Sequence, residues 1–119
     1  MLVIREEQIE ILSQYMLKQF ENRMVIHLNK NFPDETQKMS KKELCTLIQT
    51  GIKQAEQYEV TLENDVRRYL ELMVMYGQHF ETNPDMAWAS EILNVKKLDG
   101  TAKMDLIDER ELEIVRSSG

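Results

Sequence analysis

A chain of 119 residues that is 42% hydrophobic and 30% charged is long enough to bury one core and too apolar to stay disordered, which predicts one globular domain spanning 1–119. A net charge of −6 argues against the phosphate-neutralising surface of a nucleic-acid binder and against a surface that seeks anionic lipid. Only 4 Gly and 2 Pro leave little material for the turns of a β-sandwich or barrel, and abundant Leu, Glu, Lys, Gln and Met favour helix.

The start MLVIREEQIEIL turns charged after four residues and lacks the basic flank and small-residue cleavage site of a signal peptide. From about 5 to 31, Ile9, Leu12, Met16, Phe20, Met24 and Leu28 recur every three or four positions, which predicts one long amphipathic helix. Glu7, Glu10, Gln14, Lys18 and Glu21 take the opposite side. Phe32-Pro33 ends this helix, because a residue before proline is biased away from helical dihedrals. The stretch PDETQKM reads as a loop. Ser40 and Glu43 then have the spacing of a capping box, with Met39 and Leu44 as its hydrophobic staple. The second helix carries Leu44, Leu47, Ile48, Ile52 and Ala55, with Gly51 read either as a mild weakening of that helix or as a close approach to a neighbouring one.

Thr61 stands as N-cap of a third helix over about 62–80, followed by acidic residues that suit the positive helix end. Between Tyr69 and Tyr76 that helix is apolar on nearly every side except at Glu71, which predicts a central rod enclosed by the others. Asn83-Pro84 reads as N-cap and first position of a short helix bearing Met86, Trp88, Ile92 and Leu93. Asp99-Gly100 is a turn signal. Thr101 caps a last helix with Met104, Ile107, Leu112, Ile114 and Val115, whose end SSG frays. The expected architecture is all-α, about five helices in one compact domain.

Chemistry-bearing residues are sparse. His27 and His79 fall in different helices, and neither follows a carboxylate by three positions, so the pattern of helical di-metal sites is missing. Cys45 has no second cysteine with which to share a metal or a disulfide, and it reads as a packing residue. A lone cysteine and the lack of any apolar run near 20 residues predict a cytoplasmic protein that does not cross a membrane. The carboxylates Asp105, Asp108, Glu109, Glu111 and Glu113 alternate with Arg110 and Arg116, the pattern of a solvated face. Gly51, Gly77, Gly100 and Gly119 are isolated, so no phosphate loop is present. Neither a catalytic set nor a cofactor or metal site is expected. Eight methionines suit either a core or an adaptable groove, and core spacing at Met16, Met24 and Met73 favours packing. Trp88 is read as a core plug, with an interface anchor as its alternative.

The stretches MLVIREEQ, QFENRMVIHLNKNFP, GIKQAEQYEVTLENDVRRYLELMVMYG and WASEIL, in that order, resemble a family of small helical proteins of Gram-negative bacteria. Members are often encoded beside effector and spike genes of type VI secretion systems. The resemblance reaches Leu93 and contains no enzymatic motif. It implies a non-enzymatic protein that binds one partner protein, as adaptor or chaperone of a secreted effector, or as an immunity protein against a toxin. The expected contact residues are Trp88 and, on the first helix, Glu7, Glu10, Gln14, Lys18 and Glu21. A homodimer through the first helix is compatible with each reading.

Overall fold

The computed structural model describes Ile9 and residues 12–118. Six helices follow in order: α1 Gln14–Asn31, α2 Pro33–Thr36, α3 Lys41–Gln57, α4 Glu63–Tyr76, α5 Ala87–Leu93 and α6 Gly100–Ser118. Two single 3₁₀ turns, Phe80–Thr82 and Pro84–Met86, lie between α4 and α5. The chain is an all-α single domain, and no strand occurs among the described residues.

The first helix is shorter at its start than its periodicity predicts. Ser13 caps it, its hydroxyl accepting the Met16 amide at 3.2 Å. Just before, the Ile9 amide donates to the Thr61 carbonyl at 2.6 Å. That donor is committed to a tertiary contact, and Leu12 closes only an i→i−3 turn on Ile9. Apolar spacing persists through the break, so periodicity runs across a boundary set by hydrogen bonding. Phe20, Met24 and Leu28 are buried as expected, whereas Met16 is exposed, lying in the first turn of α1. Phe32 terminates α1, but Pro33 then opens the one-turn α2 where a loop was expected.

Helix α3 starts as its sequence predicts. The Ser40 hydroxyl accepts the Glu43 amide at 3.0 Å, and Glu43 Oε1 accepts the Ser40 amide at 3.1 Å. Gly51 faces α4 so closely that a Cβ there would lie 2.4 Å from Leu70 Cδ2. This glycine lets two helix backbones approach.

Helix α4 is the centre of the fold, touching α1, α2, α3, α6 and the first 3₁₀ turn. Val66, Tyr69, Leu70, Leu72, Met73 and Val74 are buried along it. Its start lacks the expected Thr61 cap: Leu62 occupies the N-cap without a side-chain bond, and Glu63 and Asp65 in the first turn complement the helix dipole instead. It ends at Tyr76, because Gly77 adopts a φ of +109°, open to glycine and strained for other residues. Met75 and Tyr76 therefore sit at the exposed rim, outside the enclosed rod.

Asn83 Oδ1 accepts the Asp85 amide at 2.9 Å, so the predicted cap forms, but it opens a 3₁₀ turn before α5 begins. At α6 the cap is Asp99, whose Oδ1 accepts the Ala102 amide at 2.8 Å. Thr101 bonds Asp65 instead. Gly100, read as part of a turn, is the first residue of α6, where a Cβ would come within 2.5 Å of the Glu59 carbonyl oxygen. Met104 and Ile107 seat the first half of α6 in the core, while Leu112, Ile114 and Val115 lie on its exposed second half.

Candidate functional site

Two helical faces meet in a groove of about 270 Å³. Helix α1 supplies Gln14, Leu17, Lys18 and Glu21; α3 supplies Gln49, Ile52 and Lys53. Each set follows the three-and-four spacing that aligns side chains along one helical face. Leu17 and Ile52 are half-buried against the core and form an apolar floor. Gln14, Lys18 and Lys53 are exposed at the rim.

Glu21 was read as a solvent-facing residue, but it is buried between the helices. Gln49 Nε2 donates to both of its oxygens at 3.3 and 3.2 Å, and the Lys18 ammonium lies 3.6 Å away. A helical repeat marks which face a residue occupies; it does not reveal a polar partner supplied by another helix. Burial pushes the Cys45 thiol up, assisted by a hydrogen bond and the charge of Glu21. The thiol form is thereby favoured over the nucleophilic thiolate. Lys53 forms no ion pair among the described residues. The groove therefore offers an apolar floor, a satisfied carboxylate and an unpaired ammonium at its edge.

Gln14, Lys18 and Glu21, three of the expected contact residues, thus come together in one concavity. Glu7 and Glu10 lie outside the described residues. Trp88 is half-buried against the core on α5, which packs on α6 and the 3₁₀ turns. It does not line the groove, and its position fits the core-plug reading better than the anchor. Sequence reasoning assigned Ile52 to the core and passed over Leu17, Gln49 and Lys53. Their signal was present as a matched three-and-four spacing on α3, but pairing it with α1 requires knowing that the two helices are neighbours.

Other polar groups are occupied in holding helices together. His27 Nε2 lies 2.6 Å from Glu71 Oε2, which also accepts from Arg67 at 2.9 Å. This joins α1 to α4. Arg68 donates to Asp65 at 3.1 Å on its own helix, and to Asp105 at 2.8 Å and Asp108 at 2.6 Å on α6. Tyr76 donates to Glu111. Three of the five acidic residues assigned to a solvated face thus fasten α6 to α4. His79 is exposed, 3.9 Å from Glu81. Among the described residues, no group of three or more His, Cys, Asp or Glu side chains is placed to hold a metal ion, and no helix is long and apolar enough to cross a membrane. Comparison with protein-family models, with curated proteins and with solved structures finds no match for this chain.

Proposed function

We propose that this chain is a non-enzymatic cytoplasmic accessory protein that binds one partner protein through the α1–α3 groove, as adaptor or chaperone of a type VI secretion effector. The groove carries the protein-binding part of this reading: half-buried Leu17 and Ile52 lie beneath the unpaired ammonium of Lys53. Such a surface suits an amphipathic helix that inserts an apolar side chain and places a carboxylate beside Lys53. The effector assignment comes from the resemblance in the sequence. Tyr15 and Ile26, about 70% exposed (71% and 68%), offer further apolar contact area along α1.

The test is co-purification with the product of the adjacent effector gene. Wild-type protein is expected to form a stable complex, and Lys53→Glu to weaken it about tenfold, most strongly at low salt. Leu17→Asp is expected to abolish binding while circular dichroism stays helical. A complex unaffected by both variants rules out the groove as the interface, and failure to form any complex rules out the adaptor.

Immunity to a toxic effector is the second reading, favoured by the net charge of −6, which suits occlusion of a basic cleft. Co-expression separates the two. Restored growth beside the toxin marks immunity, whereas unchanged toxicity with reduced effector secretion on deletion marks an adaptor.

A further inference from the structure

On another face, where the end of α3, the end of α5 and the first turn of α6 meet, lies a pocket of about 350 Å³. Tyr58, Leu93 and Lys103 line it, with the polar Gln57, Glu59, Asn94 and Lys96 around them. Lys103 is 3% exposed. Burying an ammonium is costly unless a counter-charge and hydrogen bonds compensate it. The Lys103 ammonium donates one bond, to the Tyr58 carbonyl at 2.8 Å. No carboxylate among the described residues pairs with it. Because an ammonium has three donors, one bond leaves two of them, and most of the charge, without a protein partner.

The place of the Tyr58 carbonyl, on the C-cap residue just past α3, accounts for part of this arrangement, since cations are favoured at that end of a helix. It does not account for a pocket of mixed polar and apolar lining beside the ammonium. Leu93 is fully buried beneath the pocket, and Tyr58, half-buried and packed on the core, supplies the apolar surface that a ligand can reach. Lys96 adds a second, exposed positive charge, while the exposed Glu59 carboxylate opposes a multiply charged ligand.

We propose that this pocket binds a small monocarboxylate with an apolar body, its carboxylate on the Lys103 ammonium and its hydrocarbon against Tyr58. The site is separate from the α1–α3 groove and does not depend on the function proposed for it. The carboxylate can belong to a free acid or to the terminus of a peptide chain. Isovalerate probes the first source and N-acetyl-leucine the second, with inorganic phosphate as the competing oxyanion.

Binding is followed by amide chemical shifts of the isotope-labelled protein at residues 57–59 and 93–96. Saturable shifts with isovalerate or N-acetyl-leucine are expected, the tighter probe identifying the source. Lys103→Met is expected to weaken binding about tenfold or more, the loss of one charge-assisted hydrogen bond. Two exposed positions keep the test decisive if that variant fails to fold. Lys96→Ala should weaken binding and Glu59→Gln should strengthen it, each by up to about fivefold. Saturation by phosphate alone, by none of the three probes, or equally in folded Lys103→Met overturns the proposal.

Discussion

The three internal glycines separate backbone freedom from backbone proximity. Gly51 and Gly100 both lie where a Cβ would collide, but with different neighbours: side-chain atoms of Leu70 and Met73 at Gly51, and the Glu59–Val60 backbone at Gly100. A side chain can rotate away, whereas a backbone held by α3 and α4 cannot. Gly51→Ala is therefore expected to cost only about 1 kcal/mol, overpacking being partly offset by better helix propensity. Gly100→Ala should cost about 3 kcal/mol, at the upper end for overpacking. Urea denaturation of both variants checks the order, and equal stabilities would refute it. The tyrosines add a dependence on pH. Burial, with the Glu81 charge, holds the Tyr58 and Tyr69 phenols above their ordinary range. Burial and the bond to Glu111 push Tyr76 up to about 12. Unfolded tyrosines ionise near pH ~10, so the unfolded chain releases these protons first. The stabilisation is fully present below that pH and is lost as pH rises through about 12 for Tyr76, by proton linkage. Stability measured by urea denaturation should fall more steeply in wild type than in Tyr69→Phe across this alkaline range. Identical slopes would show that Tyr69 contributes nothing to the loss.

Helices whose ends are encoded by neighbouring residues were legible in the sequence. Ser40 and Glu43 start α3, and Phe32 before Pro33 stops α1, because each signal acts within a few residues. The central place of α4 was legible too, from a run of apolar residues too broad for one helical face. Ends decided at a distance were not legible: α1 begins at Gln14 partly because Ile9 is engaged with Thr61, 52 positions away. The acidic residues of α6 show the same limit. Their alternation with arginines looks solvated, yet Arg68 on α4 gathers Asp105 and Asp108 against the buried Asp65. Of the candidate site, the α1 half was partly read, while the α3 half was hidden by not knowing which helices pair. The Arg68 clamp makes its own prediction. Asp105 and Asp108 are more than half exposed, so Asp105→Asn or Asp108→Asn should each cost less than about 1 kcal/mol. Among the described residues, Arg68→Met removes the one cation paired with the buried Asp65 carboxylate, leaving Thr101 as its remaining side-chain partner, and should cost about 3 kcal/mol. It should also speed amide exchange in α6 more than in α3. Equal acceleration in both helices would mean that the clamp supports the whole fold rather than the α6 contact.

One continuous cluster of buried residues runs from Phe20 on α1 through Leu47 on α3 and Leu70 on α4 to Leu93 on α5 and Ile107 on α6. Helix α4 belongs both to the group formed with α1 and α3 and to the group formed with α6 and the turns beneath α5. Neither group keeps its core if α4 leaves, so they are expected to unfold together. The single tryptophan provides the measurement. Trp88 lies on α5 and packs on the core, so its fluorescence reports the α5–α6 side, while far-ultraviolet circular dichroism sums over every helix, with more helical residues in α1, α3 and α4 together than in α5 and α6. The two urea transitions should coincide in midpoint, with a common slope of about 1–3 kcal/mol/M. A Trp88 transition at lower urea would show that α5 and α6 detach while the other helices remain. The pocket around Lys103 would then open in the same step, because two of its three walls belong to those helices. The α1–α3 groove would survive it, since neither of its walls does. Coincident transitions instead tie both surfaces to one folding equilibrium, so a ligand at either one should raise the stability reported by both probes equally.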